Sequence, residues 1–175
     1  MNNMIYVHTG EVKGGQADAV LQSTPIGSCV VIMAWSAIRR FGTMAHVMLP
    51  GCASEAAPTP TRYAINAIET LSDNMASYAP LTETGVCLLG AANVLKKADD
   101  TICQNNIHSI TEYLKRKGIP VHAAILGGDQ RKMACLYVRE GRMTYTQGES
   151  SEKTLWQYMD KQKRNGIKKR ESTYG

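Results

Sequence analysis

The sequence predicts an α+β fold, a single domain in which mixed β-sheets pack against helices. Three observations carry this expectation. The chain has 175 residues, enough to bury one sizeable core. Short β-branched runs and stretches of helical period both occur, without the strict strand–helix alternation of a doubly wound sheet. Hydrophobic residues make up 43% of the chain but aromatic residues only 6%, so Ala, Val, Ile, Leu and Met must fill the core.

The opening "MIYVHTGEV" has β character and breaks at Gly14-Gly15. "CVVIMAW", Cys29 to Trp35, is apolar and β-branched enough for a buried strand. "RRFG" turns the chain, and "TMAHVML" follows as a second strand ending at Pro50-Gly51. Together the two read as a hairpin-like pair. Residues 52–61 are a loop, because two prolines in three residues resist both helix and ladder. Ala64, Ile68, Leu71 and Met75 then recur at helical spacing, with Thr61 as the expected N-cap. "GVCLLG" reads as a strand. "NNIHSITEYLKRKG" is the clearest helix: cations fill its last turn and Gly118 stops it. "PVHAAILGG" reads as a buried strand, with His122 as a satisfied core histidine, and "ACLYVREGRMTYT" as a hairpin turning at Glu140-Gly141.

The boundaries expected are a domain over residues 1–150 and a basic tail over 151–175. That tail holds seven Lys/Arg against three acids, and is expected to start as a helix around Leu155, Trp156 and Met159 and then become mobile. Residues 1–150 carry thirteen basic against twelve acidic residues, so the domain itself does not read as a nucleic-acid binder. No apolar run reaches bilayer length, so no membrane insertion is expected, and the N-terminus lacks the pattern of a secretory signal. The five cysteines have irregular spacing and no CxxC. This is a poor disulfide or zinc framework, and the expected location is the cytoplasm. Cys29, His46 and Cys52 match no usual metal spacing, and no metal is expected.

Cys29 carries the chemical question. Free cysteine is among the most buried residue types, and the plain reading is a small core hydrophobe. A nucleophilic thiol needs a base, most often histidine, and a polar group to orient that base. His108 is expected to face solvent on its helix. His46 lies in the strand paired with the one that opens at Cys29, although pairing alone does not bring the two together. Gly27 and Ser28 precede the thiol in a tight turn whose N–H groups could face an oxyanion.

The segment "IGSCVVIMAWSAIRRFGTMAHVMLPG" resembles the CheD family, the chemoreceptor glutamine deamidases. The resemblance rests on Gly27-Ser28-Cys29-Val30, on Gly42 to Pro50 with His46 at its centre, and on the seventeen-residue separation of Cys29 and His46. Weaker matches keep their order through Arg62-Tyr63-Ala64, Gly90-Ala91-Ala92, Ile102 with Asn106, Gly118-Ile119 and Gly127-Gly128, covering residues 1 to about 147. It implies an α+β cysteine hydrolase that converts glutamines of methyl-accepting chemoreceptors to glutamates, through a thioester and without any cofactor. Cys29 is then the nucleophile, His46 the general base and Ser23 the hydroxyl that orients it. Gly27 and Ser28 shape the oxyanion turn, and Thr24, Arg62, Tyr63 and Asn106 are expected toward the substrate. Strand alternation would point Thr24 to the other face from Ser23. The CheC phosphatase is a further partner that the resemblance suggests. The chain departs from the family pattern at Ser23, where the family has threonine, and at Ala91, Cys103, Asn105, Ile125 and Leu126. A CheD-like module that docks on CheC or receptors without turnover is the alternative.

Overall fold

The computed structural model describes residues 3–159. Ten strands form two five-stranded sheets. The first sheet runs in the order β1 (Asn3–Val7), β3 (Ala19–Ser23), β8 (Lys132–Tyr137), β9 (Arg142–Gln147), β10 (Lys153–Gln157). The second runs β2 (Val12–Gly15), β5 (Phe41–Val47), β4 (Val30–Ser36), β6 (Val86–Gly90), β7 (Val121–Leu126). Both are mixed: β1 pairs with β3, and β6 with β7, in parallel, and the other pairs are antiparallel. Helices α1 (Ala64–Met75) and α3 (Thr101–Arg116) are the two long ones, and α2 (Leu81–Thr84) is a single turn.

The core has two layers, and β4 serves both. Its seven residues are all buried. Val31, Met33 and Trp35 pack toward the first sheet with Leu21, Met44, Leu89 and Leu136. Val30, Ile32 and Ala34 pack toward the helices with Ile68, Leu71, Ile110 and Leu114. An unbroken apolar run therefore becomes a strand covered on both faces, as its composition requires. The Trp35 indole N–H donates to Val138 O at 2.7 Å, so its one polar atom is satisfied in the core.

The mixed α+β architecture and the β4–β5 hairpin agree with the expectation; several local readings do not. Gly14 and Gly15 do not break the chain but lie within β2. A Cβ on Gly14 would meet the Phe41 ring at 2.5 Å, so the glycine admits a close ring contact. Thr61 does not cap α1. Its hydroxyl donates to Gly10 O at 2.5 Å, and the helix starts after Tyr63. β7 is an edge strand, so His122 is exposed, with Nε2 2.7 Å from Thr84 O and its ring stacked on Trp156. Residues Lys153–Gln157 form a strand, not a helix: they extend the first sheet by pairing with β9, and Leu155 and Trp156 pack against its core. The tail from residue 160 onward lies outside the described residues. Among those residues, no helix is long and apolar enough to cross a membrane.

Candidate active site

The hairpin sets the relation of Cys29 to His46. His46 pairs directly with Val31 across β4 and β5. Side chains alternate along a strand, so His46 shares the face of Met44, and Cys29, two residues before Val31, shares the face of Val31. Both face the first sheet. The two are diagonal cross-strand neighbours, a relation of roughly 7–8 Å between backbones that long side chains span. Cys29 is half-buried and His46 is fully buried.

The His46 ring is oriented from one side. Nδ1 lies 3.3 Å from Val7 O and 3.4 Å from Thr24 Oγ1. A carbonyl oxygen can only accept, so Nδ1 carries the proton and Nε2 the lone pair. Nε2 has no hydrogen-bond partner among the described residues. Burial pulls the ring's pKa below 6.5, against the partial support of Val7 O, and His8 adds to the lowering. The backbone of His46 is held too: its N–H donates to Glu11 O at 3.0 Å, and its carbonyl accepts from Gly10 N at 2.8 Å.

Burial also raises the Cys29 thiol above its usual range, and the Thr9 hydroxyl offsets part of that rise. At neutral pH the resting groups are therefore a thiol and a neutral imidazole, and no hydrogen bond joins Cys29 Sγ to the ring.

Ser23 and Thr24 stand in each other's expected places. The buried Ser23 hydroxyl accepts from Ala134 N at 2.9 Å and does not reach His46, while Thr24 does. Pairing of β3 with β8 runs to Gln22–Cys135 and resumes at Ile26–Lys132. Residues 23–25 thus face only residues 133–134. The extra residue is a bulge, and a bulge ends strict alternation. Ser23 replaces a missing ladder bond, and Thr24 turns toward the histidine.

The turn before Cys29 has all its carbonyls engaged. Gly27 O accepts from Ala92 N at 2.8 Å, Cys29 O from Ala91 N at 2.7 Å, and Ser28 O from Asn106 Nδ2 at 3.0 Å. Gly27 and Ser28 also line one wall of a cavity of about 260 Å³, with Asn93, Val94, Ile102 and Arg131. Asn106 itself is fully buried on the inner face of α3, so it does not meet substrate as expected. Arg62 is exposed, and its side chain lies over Gly10, beside the β1–β2 turn. Tyr63 is partly buried and bridges to Leu49. Of the departures from the family pattern, Ala91 takes a positive φ of 53° behind the thiol, where a glycine would be unstrained. Cys103 is buried, with burial first among the causes that push its thiol to about 11. Cys52 is exposed, and no group of three metal-ligating side chains occurs among the described residues.

Two contributors escape sequence reading, and so does the role of a third. Val7 acts through a backbone carbonyl, which carries no residue signal. Thr9 lies in a turn twenty residues from the thiol. Asn106 is visible as a motif residue, but its buried bonds are not.

The family described as CheD chemotactic sensory transduction matches residues 48–147, starting two residues after His46. A protein of Chlorobium luteolum named probable chemoreceptor glutamine deamidase CheD is 38% identical over 156 residues, covering 88% of this chain and 78% of that one. A Methanococcus maripaludis protein of the same name is 32% identical over 128 residues, covering 71% and 83%. The chemoreceptor glutamine deamidase CheD of Thermotoga maritima is 25% identical over 135 residues, covering 77% and 85%. The family match spans more than half of the chain and a relative of high identity spans most of it: this chain belongs to the CheD family.

Proposed function

We propose that this chain is a glutamine deamidase of chemoreceptors, with Cys29 as nucleophile, His46 as general base and Thr24 orienting the ring. The observation that carries the reading is the His46 ring itself. Nδ1 is engaged by Val7 O and Thr24, and Nε2 is left as a free base on the face that Cys29 shares.

The chemistry balances without a cofactor. As Cys29 Sγ bonds to the glutamine side-chain carbonyl carbon, its proton passes to Nε2. The carbonyl oxygen becomes an oxyanion facing the N–H groups of the Gly27–Cys29 turn. The imidazolium returns its proton to the departing nitrogen, ammonia leaves, and a thioester remains. Water, deprotonated by Nε2, opens the thioester to release glutamate and restore the thiol.

The names of the relatives support the substrate, and the family's association with CheC makes that phosphatase the partner to test first. The cytoplasm suits five cysteines that are all free. A docking module without turnover would need no buried base left without a partner. Ammonia release from a receptor fragment tests the proposal: His46→Ala abolishes it if Nε2 is the base, and an undiminished rate in that variant refutes the assignment.

A further inference from the structure

The turn that holds Cys29 is fixed by one buried side chain from a distant helix. Asn106 is completely buried on α3. Its Nδ2 donates to Ser28 O at 3.0 Å and to Met48 O at 3.1 Å. The first carbonyl belongs to the residue before the thiol. The second belongs to the residue just past the end of β5, two positions after His46. One amide group thus joins the start of the nucleophile's strand to the end of the base's strand, and its two donors are both spent on doing so.

The consequence follows from peptide geometry. In a planar trans peptide, the carbonyl and the N–H of the next residue point in opposite directions, and no cis bond occurs among the described residues. Ser28 O is drawn inward to Asn106, so the Cys29 N–H on the same peptide points the other way. The preceding peptide is set alike, because Gly27 O is drawn to Ala92 N. Only the Ser28–Cys29 peptide depends on a side chain for its orientation.

We infer that Asn106 is a positioning residue for acyl transfer: by holding Ser28 O it aims the Cys29 N–H at the oxyanion. The inference rests on Cys29 being the nucleophile, but not on the identity of the receptor substrate. An oxyanion donor works only if it is set in place before the reaction, and a freed peptide would rotate or hydrate instead. Asn106 does not touch substrate and acts through the peptide it holds.

The test compares two reactions of the same thiol. Acylation of Cys29 by p-nitrophenyl acetate passes through a tetrahedral oxyanion; alkylation by iodoacetamide does not. In Asn106→Ala, acylation is expected to fall by about tenfold to a hundredfold, the scale of misaligning one donor. Alkylation and its pH profile should stay at the wild-type values. Asn106→Ser, whose short hydroxyl cannot span both carbonyls, should behave the same way and serves if the alanine variant does not fold. Loss of both reactions together would show that Asn106 merely maintains the local fold, and loss of neither would show that the peptide keeps its orientation unaided; either result overturns the inference. Failure of the wild type to deamidate a receptor fragment would instead refute the proposed function, and these two reactions would still read the role of Asn106.

Discussion

Gly90 lies directly behind the thiol, and adding one methyl group to it tests whether Cys29 is held as tightly as the bonds around it imply. Gly90 has φ of +135° and pairs with Val30 across β4 and β6. A Cβ built there would lie 2.3 Å from Cys29 O, 2.8 Å from Ile26 Cγ2 and 3.1 Å from Val30 Cα. Ordinary contact begins at 3.4 Å, so Cys29 O must retreat by about 1 Å. Overpacking of this kind costs about 1–3 kcal/mol, and a side chain forced into that backbone region costs about 1–3 kcal/mol more. Gly90→Ala should therefore lose roughly 2–6 kcal/mol of stability, lowering the melting midpoint by at least about 5 °C in a chain of this length. The displaced carbonyl is bonded to Ala91 N, so the thiol moves with its strand. A 1 Å error at the reacting atom costs about a hundredfold in turnover. Thermal unfolding and the rate of Cys29 acylation read the two effects separately. A variant that melts and acylates like the wild type would refute the claim that the closely packed β6 backbone fixes Cys29.

Further outcomes follow from the same geometry. The acid limb of kcat/KM should have its midpoint below pH 6.5, because burial lowers His46 and only the neutral ring is a base; a midpoint above 6.5 would mean that the ring is not buried in solution. The sign for stability is the same. The unfolded chain takes up a proton at His46 before the folded chain does, so stability falls as pH drops through 6.5 toward the folded value. Iodoacetamide should modify Cys29 with a midpoint above pH 9.0, since burial raises the thiol. Ser23→Ala and Thr24→Val should separate cleanly. The first strips Ala134 N of its buried acceptor and costs about 1–3 kcal/mol with turnover kept, whereas the second costs turnover with stability kept, and the reverse pattern would return the orienting role to Ser23.

The parts of the site that are legible in sequence are those in which residue type and spacing carry the geometry. The run Cys29 to Trp35 and the run around His46 are apolar enough to be strands, and the short connection between them makes them antiparallel, although the chain reverses over residues 37–40 and Gly42, expected to turn it, lies within β5 opposite Trp35. The roles of Ser23 and Thr24 are not legible, because one extra residue against β8 changes which side chain faces the ring; Pro25 in "QSTPIG" marks a break in the ladder but does not say which hydroxyl turns inward. β10 is missed because its five residues carry Leu155 and Trp156 at adjacent positions amid polar neighbours, which imitates the start of an amphipathic helix. Its identity as a strand is decided by the free edge of β9. β7 fails in the opposite direction: its apolar residues suggest full burial, but its place at the edge of a sheet leaves them half covered. The role of Asn106 depends on two carbonyls brought together by tertiary packing, and a single sequence holds no record of them.

If Cys29 performs the deamidation, no turnover survives its loss. The most direct measurement is the mass of receptor-derived peptides after incubation with wild-type protein or with Cys29→Ala, each first shown to unfold cooperatively. Amide-to-acid mass gains are expected at specific glutamines with the wild type and none with Cys29→Ala. Equal gains at equal rates with the alanine variant would contradict that role for Cys29.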